Sequence, residues 1–304
     1  MAIRTHLLSI SALVALMSGL VISQNVSAAA GGQSITMTPP STQLTIDPGS
    51  SSTSSFKVIN NGNDSYAVNT SVSPYSVTGE AYDPGFTQLP GTTDVASWVH
   101  VSATHTTAQA HKTLEIPYTV TVPAATAPGG YYAVIFAETA PLDPSAASGV
   151  IPHNRVGDIL YITVSGPVTN SGTTTVTPLS HIQVGNQIPM EILVANTGGV
   201  HFLSTAVFGV QGSDGKEVYK GTFDRYVLPN TKRLISTSWT PSAPIGFYKV
   251  TATATVAGKP TSITTQQIVY IAPWLLDIVA IAIGLLGVAI IVRLVTRRKR
   301  LAKR

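Results

Sequence analysis

Apolar and polar residues alternate with a period of two through most of the chain, the signature of strands with one face buried. Leu114, Ile116, Tyr118, Val120 and Val122 alternate with Glu115, Pro117, Thr119 and Thr121. Ile188, Met190, Ile192 and Val194 do the same against Pro189, Glu191 and Leu193. Phe56-Lys57-Val58 and Tyr66-Ala67-Val68 flank Asn60-Asn61-Gly62-Asn63-Asp64, a turn cluster whose Asn and Gly residues tolerate positive φ. Ser213-Asp214-Gly215 marks a further turn. No stretch of helical periodicity precedes residue 272, and strands recurring at intervals of roughly 8 to 12 residues predict β-sandwiches.

A weak internal repeat divides these strands into two sets. Val58-Ile59-Asn60-Asn61-Gly62 matches Val194-Ala195-Asn196-Thr197-Gly198 at an offset that also relates Gly79-Glu80 to Gly215-Lys216. Further on, Ala127-Pro128-Gly129-Gly130-Tyr131-Tyr132 matches Ala243-Pro244-Ile245-Gly246-Phe247-Tyr248. The offset shrinks by about 20 residues between the two matches, so the first copy carries an insertion, expected around Phe86 to Thr106. In each copy the Pro sets the approach to a late strand, Gly leaves room where the chain bends into the sheet, and the aromatic fills the core. The expected fold is all-β: two tandem Ig-like β-sandwich domains, residues 30–166 and 167–271, followed by one C-terminal transmembrane helix.

The two ends agree on a topology. Arg4, His6, the apolar run from Leu7 to Ile22 and the small residues Val26-Ser27-Ala28-Ala29-Ala30 read as a secretory signal, residues 1–29, cleaved after Ala28 or Ala29. Trp274 to Val292 is apolar apart from Asp277, and about 19 residues at ~1.5 Å each reach ~28 Å, enough to cross the hydrocarbon core. The membrane segment is placed at residues 272–295, with Asp277 in its first turn at headgroup depth and Trp274 in the aromatic belt. A basic tail, residues 296–304, follows and contains no acid. Such a tail is retained in the cytoplasm, which puts the N-terminal bulk outside a plasma membrane crossed once.

Charge changes meaning once the tail is set apart. The chain carries 18 Lys and Arg against 14 Asp and Glu, but the outer region is mildly acidic, at about −3. It offers no basic face for nucleic acid. With 0 cysteines, disulfide scaffolds, zinc-thiolate sites and thiol catalysis are all excluded. His100, His105 and His111 fit no zinc spacing, and Asp83, Asp94 and Asp143 form no calcium loop. No nucleophile elbow, His-Glu-x-x-His motif or phosphate loop is present, so neither a catalytic, a cofactor-binding nor a metal site is assigned. Leu89-Pro90-Gly91-Thr92-Thr93 resembles a sortase signal but ends in Thr and lies far upstream of the helix, so it reads as a turn. Tyr75, Tyr82 and Phe86 sit in loop-like sequence of the first domain and are the candidates for contact with a polymer or partner.

The order of signal peptide, two sandwiches, membrane helix and basic tail resembles that of the Gram-positive WxL-interacting surface proteins. Local similarity rests on Leu44-Thr45-Ile46-Asp47-Pro48-Gly49, Val58-Ile59-Asn60-Asn61, Gly79-Glu80-Ala81-Tyr82, Ile116-Pro117-Tyr118-Thr119-Val120-Thr121-Val122-Pro123 and Gly129-Gly130-Tyr131-Tyr132-Ala133-Val134-Ile135-Phe136. The resemblance implies a peptidoglycan-binding first domain, a host-binding second domain and no catalytic residues. The leading expectation is a membrane-anchored cell-surface binding or adhesion protein whose sandwiches contact cell-wall polymer or surface proteins. The alternative is a chaperone-like assembly factor that pairs an exposed edge strand with a client. A tethered hydrolase stands behind both.

Overall fold

The computed structural model describes residues 34–142 and 153–301. The signal-sequence reading, Asp143 and the last three residues of the tail lie outside the described residues. The first sandwich contains β1 (Ile35–Thr38), β2 (Ser41–Ile46), β3 (Ser51–Asn60), β4 (Tyr66–Pro74), β5 (Ser76–Thr78), β6 (Asp83–Gly85), β7 (Val99–Val101), β8 (His105–Ala108), β9 (Thr113–Thr121), β10 (Gly129–Ala140) and β11 (Arg155–Val164). One layer has the order β1-β3-β9-β7, the other β2-β11-β10-β4-β8, and β5 and β6 form a separate ribbon. Pro39 and Pro40 carry no N–H, and there the chain leaves the sheet of β1 and joins the opposite one as β2.

The second sandwich contains β12 (Gly172–Val176), β13 (Ile182–Val184), β14 (Ile188–Asn196), β15 (Phe202–Gly212), β16 (Glu217–Val227), β17 (Lys232–Trp239), β18 (Ile245–Val256), β19 (Lys259–Pro260) and β20 (Thr264–Ile271). Its layers are β12-β14-β17 and β13-β20-β18-β15-β16, with β19 on β18. The chain is therefore two Ig-like β-sandwiches in tandem. The period-two residues face inward as the pattern requires: Ile116, Tyr118 and Val120 enter one core, Ile188, Met190, Ile192 and Val194 the other.

The repeat is structural. Asn60 ends β3 buried, donating from Nδ2 to the carbonyls of Asp64 (2.8 Å) and Ala108 (3.1 Å) while Oδ1 accepts the Gly62 N–H (2.9 Å). Asn196 ends β14 with the same three bonds, to Val200 O (2.9 Å), Val227 O (2.8 Å) and from Gly198 N–H (2.8 Å). Each side chain satisfies backbone groups that burial would otherwise orphan. The late-strand match holds with a one-residue correction. Tyr131 stacks in the first core at 4.9 Å from Trp98, and Tyr248 stacks in the second at 4.7 Å from Trp239. Core-facing Tyr131 thus corresponds to Tyr248, not to Phe247, because a strand slip of one residue reverses which side chain faces inward. The extra residues of the first copy form β5, β6, a 3₁₀ turn at Val95–Trp98, and β7, while β8 on β4 is the counterpart of β16 on β15.

The helix α1 (Pro273–Leu301) follows β20 directly. Ala272 N–H donates to Pro244 O (2.7 Å), Leu275 N–H to Ala272 O (3.1 Å), and Leu275 packs against the second core. From Pro273 to Arg298 the helix is long and apolar enough to cross a membrane, and none of that stretch is buried by the sandwiches.

Candidate functional site

Strand β2 covers only part of β11. It runs parallel to it from Ser41 opposite Ile159 to Ile46 opposite Val164. Arg155, Val156, Gly157 and Asp158 have β10 as their one strand partner among the described residues. Ile159 N–H donates to Pro40 O (3.2 Å) and Ser165 N–H to Ile46 O (3.1 Å), so odd-numbered residues of β11 direct their backbone groups toward this edge. By that alternation Gly157 and Arg155 present N–H and C=O outward where β2 has ended. Asn154 turns the other way, its carbonyl accepting Thr139 N–H at 2.9 Å.

An aromatic shelf adjoins this open edge. A Cβ at Gly157 would stand 3.0 Å from Val134 Cγ2 and 3.2 Å from the Phe136 ring, so glycine is what lets that ring lie close to the strand. The Arg155 guanidinium sits 3.6 Å over the Phe136 ring, a cation–π contact. Phe86 meets Phe136 edge-on at 5.0 Å, and Tyr75 reaches Phe86 at 6.3 Å. Phe86 keeps 39% of its surface exposed.

Strand β20 has a similar open stretch, since β13 pairs it only from Val269 to Ile271 and Thr264–Ile268 have β18 as their one strand partner among the described residues. Three further edges are blunted. β7 and β8 are short, with 3 and 4 residues. β16 is an 11-residue edge, but it carries exposed Lys220, Asp224 and Arg225. Two of its outward carbonyls are taken by arginines, Tyr226 O by Arg233 (2.7 Å) and Asp224 O by Arg225 (2.9 Å). Charges of this kind discourage strand addition.

At the point where β2 ends, Asp158 points inward and is fully buried. Its Oδ2 accepts from Thr42 Oγ1 at 2.9 Å, whereas Oδ1 has no partner among the described residues. Burial pushes its pKa up to about 6, because the charged form is the one that desolvation penalises.

A seam of tyrosines joins the sandwiches. Tyr82 leaves the β5–β6 ribbon with φ +67° and enters the second sandwich, where its hydroxyl accepts Leu228 N–H (2.7 Å), pairs with Thr231 Oγ1, and its ring lies 4.2 Å beneath Arg233. Glu80 O accepts Leu234 N–H at 2.9 Å. Tyr132 receives the His201 backbone N–H at 3.1 Å and lies 3.2 Å from His201 Nδ1. Tyr161 stacks on Tyr226 at 4.5 Å, and Gln43 bonds the Tyr226 hydroxyl. Gly130 N–H donates to Gly199 O at 2.9 Å, an approach that a side chain would obstruct. Burial raises the pKa of Tyr82, Tyr132 and Tyr161 and lowers that of His201 to about 4. All four therefore remain neutral at pH 7.

The three residues singled out in the sequence have different surroundings. Tyr82 is buried in the seam, Tyr75 is half-buried between seam and shelf, and Phe86 is the one with an open face. Tyr75 also helps line a groove of about 270 Å³ with Gln88, Leu89, Thr92, Tyr131 and Tyr132. His105 is taken by Asn69 at 2.6 Å, and no group of three or more His, Asp or Glu is placed to hold a metal among the described residues. His201, Tyr226 and Arg233 escaped sequence reasoning because their partners in the first sandwich lie 69 or more residues away. The motifs Gly79-Glu80-Ala81-Tyr82 and Gly129-Gly130-Tyr131-Tyr132 were the available signal, since both build the seam.

No protein-family model matches the chain, and no curated protein does. Solved structures are loosely similar to it. A class 5 fimbrial chaperone, CfaA, is 11% identical with a TM-score of 0.41, covering 77% of this chain and 99% of that one. The CsuC–CsuE chaperone–tip adhesion subunit complex of Acinetobacter baumannii gives 12% and 0.39, covering 79% and 99%. A PapD-like domain of human CEP192 gives 17% and 0.31, covering 44% and 86%. Superposition at this level is too loose to transfer a role.

Proposed function

We propose that this chain is a membrane-tethered assembly factor that binds an extended segment of a partner protein along the open half of β11. The observation that carries it is the end of β2 at Ser41, which leaves outward backbone groups of Gly157 and Arg155 unmatched by any strand among the described residues. A segment added in line with β2 gains main-chain hydrogen bonds there, and alternate side chains reach the Phe136, Phe86 and Arg155 shelf. The seam holds the second sandwich against the first, so the edge is offered at a fixed distance from α1. The tail of α1 is basic, which supports a cytoplasmic C-terminus and an outward-facing edge.

A photo-crosslinking amino acid at Arg155 in the full-length, membrane-embedded chain tests this. Discrete crosslinks to an extended peptide are expected at 155, and background at Thr107 on the short β8 edge. Equal yields at the two positions sink the proposal.

The groove beside Tyr75 favours a second reading, adhesion to cell-wall polymer, as the resemblance to WxL-interacting proteins implies. Retention of the ectodomain on purified wall, abolished by Tyr75→Ala, together with only background crosslinking at position 155, would favour it over the first.

A further inference from the structure

The second sandwich carries an apolar patch on the outer face of its larger sheet. Val184, Ile271 and Ile245 are direct cross-strand neighbours, as are Ile182, Val269 and Phe247 in the next outward-facing row. Directly opposed residues share a face, and the core takes the alternate positions Ile268 and Tyr270. Phe247 is 64% exposed and Ile182 60%. Nothing among the described residues covers them, and apolar faces of this kind mark interaction surfaces.

Their position identifies the occupant. Ile271 is two residues from the first residue of α1, about 7 Å of strand, and the Phe247 row is about 7 Å farther. No slack separates patch from helix, because Ala272 is bonded to Pro244 and Leu275 is packed into the sandwich. The next row outward is Lys249 opposite Gln267. With His181, these line a cavity of about 470 Å³ that opens beside Phe247. Moving away from the helix, the surface therefore passes from Ile and Val through Phe to a lysine, apolar nearest the membrane segment and charged farthest from it, as on faces that lie in a membrane interface. The loops at the same end, Gly185-Asn186-Gln187 and Thr240-Pro241-Ser242-Ala243-Pro244, contain no charge.

We propose that this patch rests on the lipid surface, so that the second sandwich leans on the bilayer in which α1 is inserted, with Lys249 at phosphate depth. The chain has no cysteine, which permits single-site labelling. Full-length Phe247→Cys, Ile283→Cys and Leu203→Cys, each bearing a polarity-sensitive fluorophore, are to be reconstituted in phosphatidylcholine/phosphatidylglycerol nanodiscs containing lipids brominated near the glycerol. Leu203 is also an exposed apolar residue, 42% accessible, at the opposite end of β15. Loss of most of the fluorescence at 247, with little loss at 203, is the expected result. Unquenched label at 247 overturns the proposal, and oxidative disulfide-linked dimers at 247 would assign the face to a second copy instead. The mid-helix label, read in parallel nanodiscs whose lipids are brominated deep in the acyl chain, separates this outcome from failure of the anchor: quenching at 283 with an unquenched, water-exposed label at 247 rejects the patch alone.

Discussion

The two sandwiches are built on one plan, each with a short parallel strand on its last long one, and they differ in the side chains placed on their rims. Both close the end of a central strand with a buried asparagine that makes three bonds, and both seat a tyrosine against a tryptophan. In the second, the long edge strand β16 is studded with charge and its carbonyls are capped by arginine. In the first, β2 stops short and leaves backbone groups of β11 facing outward. The repeated features are those that satisfy buried polar groups and fill a core, needs that any such sandwich has. What differs is on the rim, where a strand edge is either a hazard to be masked or a surface to be used.

The largest test of this comparison is to remove the shared asparagine from each side in turn. Asn60→Ala and Asn196→Ala each remove the partner of one buried and one part-buried carbonyl and of one N–H, and each is expected to cost roughly 2–4 kcal/mol. Trp98 reports on the first core and Trp239 on the second, so guanidinium unfolding followed by fluorescence in a Trp274→Phe background resolves them. Each substitution should lower its own transition most. Equal loss in both transitions would mean that the sandwiches unfold as one unit and that the comparison has no energetic content.

Acid should sharpen the contrast, with an effect of up to roughly 3 kcal/mol in each direction. Asp158 has a folded pKa raised to about 6, so its contribution is fully present below the unfolded value near 4 and is lost as pH rises through 6. His201 has a folded pKa lowered to about 4; its contribution is present above about 6.5 and is lost as pH falls through 4. Lowering pH from 7 to 5 thus tightens the first sandwich and loosens the seam. Asp158→Asn should stabilise the Trp98 transition at pH 7 and flatten its slope between pH 4 and 6. His201→Gln should flatten the opposite slope, read as the spread of sandwich-to-sandwich distances by paired spin labels. Parallel slopes for both variants would contradict the assignment.

A smaller effect, roughly 1–3 kcal/mol, is expected from overpacking the seam with Gly130→Val. A Cβ there meets Tyr132 and stands 3.3 Å from the Val200 Cα. The same distance measurement should broaden while both core transitions stay within about 0.5 kcal/mol of the parent. A lowered Trp98 transition would show that the damage is in the first core rather than between the sandwiches.

Strand content and the repeat were legible in sequence because their causes are local: Ile188 to Val194 alternate, and Asn60 and Asn196 precede their glycines by two residues. The slip that set Tyr248 rather than Phe247 opposite Tyr131 was not legible, since glycine and aromatic residues fit either face. The seam was hidden for another reason. Tyr82 reads as a loop tyrosine until the fold brings Leu228, Thr231 and Arg233 around it. The open edge was invisible as well, because it depends on where β2 stops relative to β11, a matter of register between strands over 100 residues apart in sequence.

The direct passage from β20 into α1 has a consequence for partner choice. A flexible linker would let the sandwiches sweep a volume, so that effective concentration fell off gradually with distance. A junction bonded at Ala272 and packed at Leu275 removes that freedom. Under the proposed reading, a partner segment anchored in the same membrane is engaged at high effective concentration only if its own stalk reaches the height of β11. Stalk length then selects among clients that share the same binding sequence, and the tether becomes a ruler.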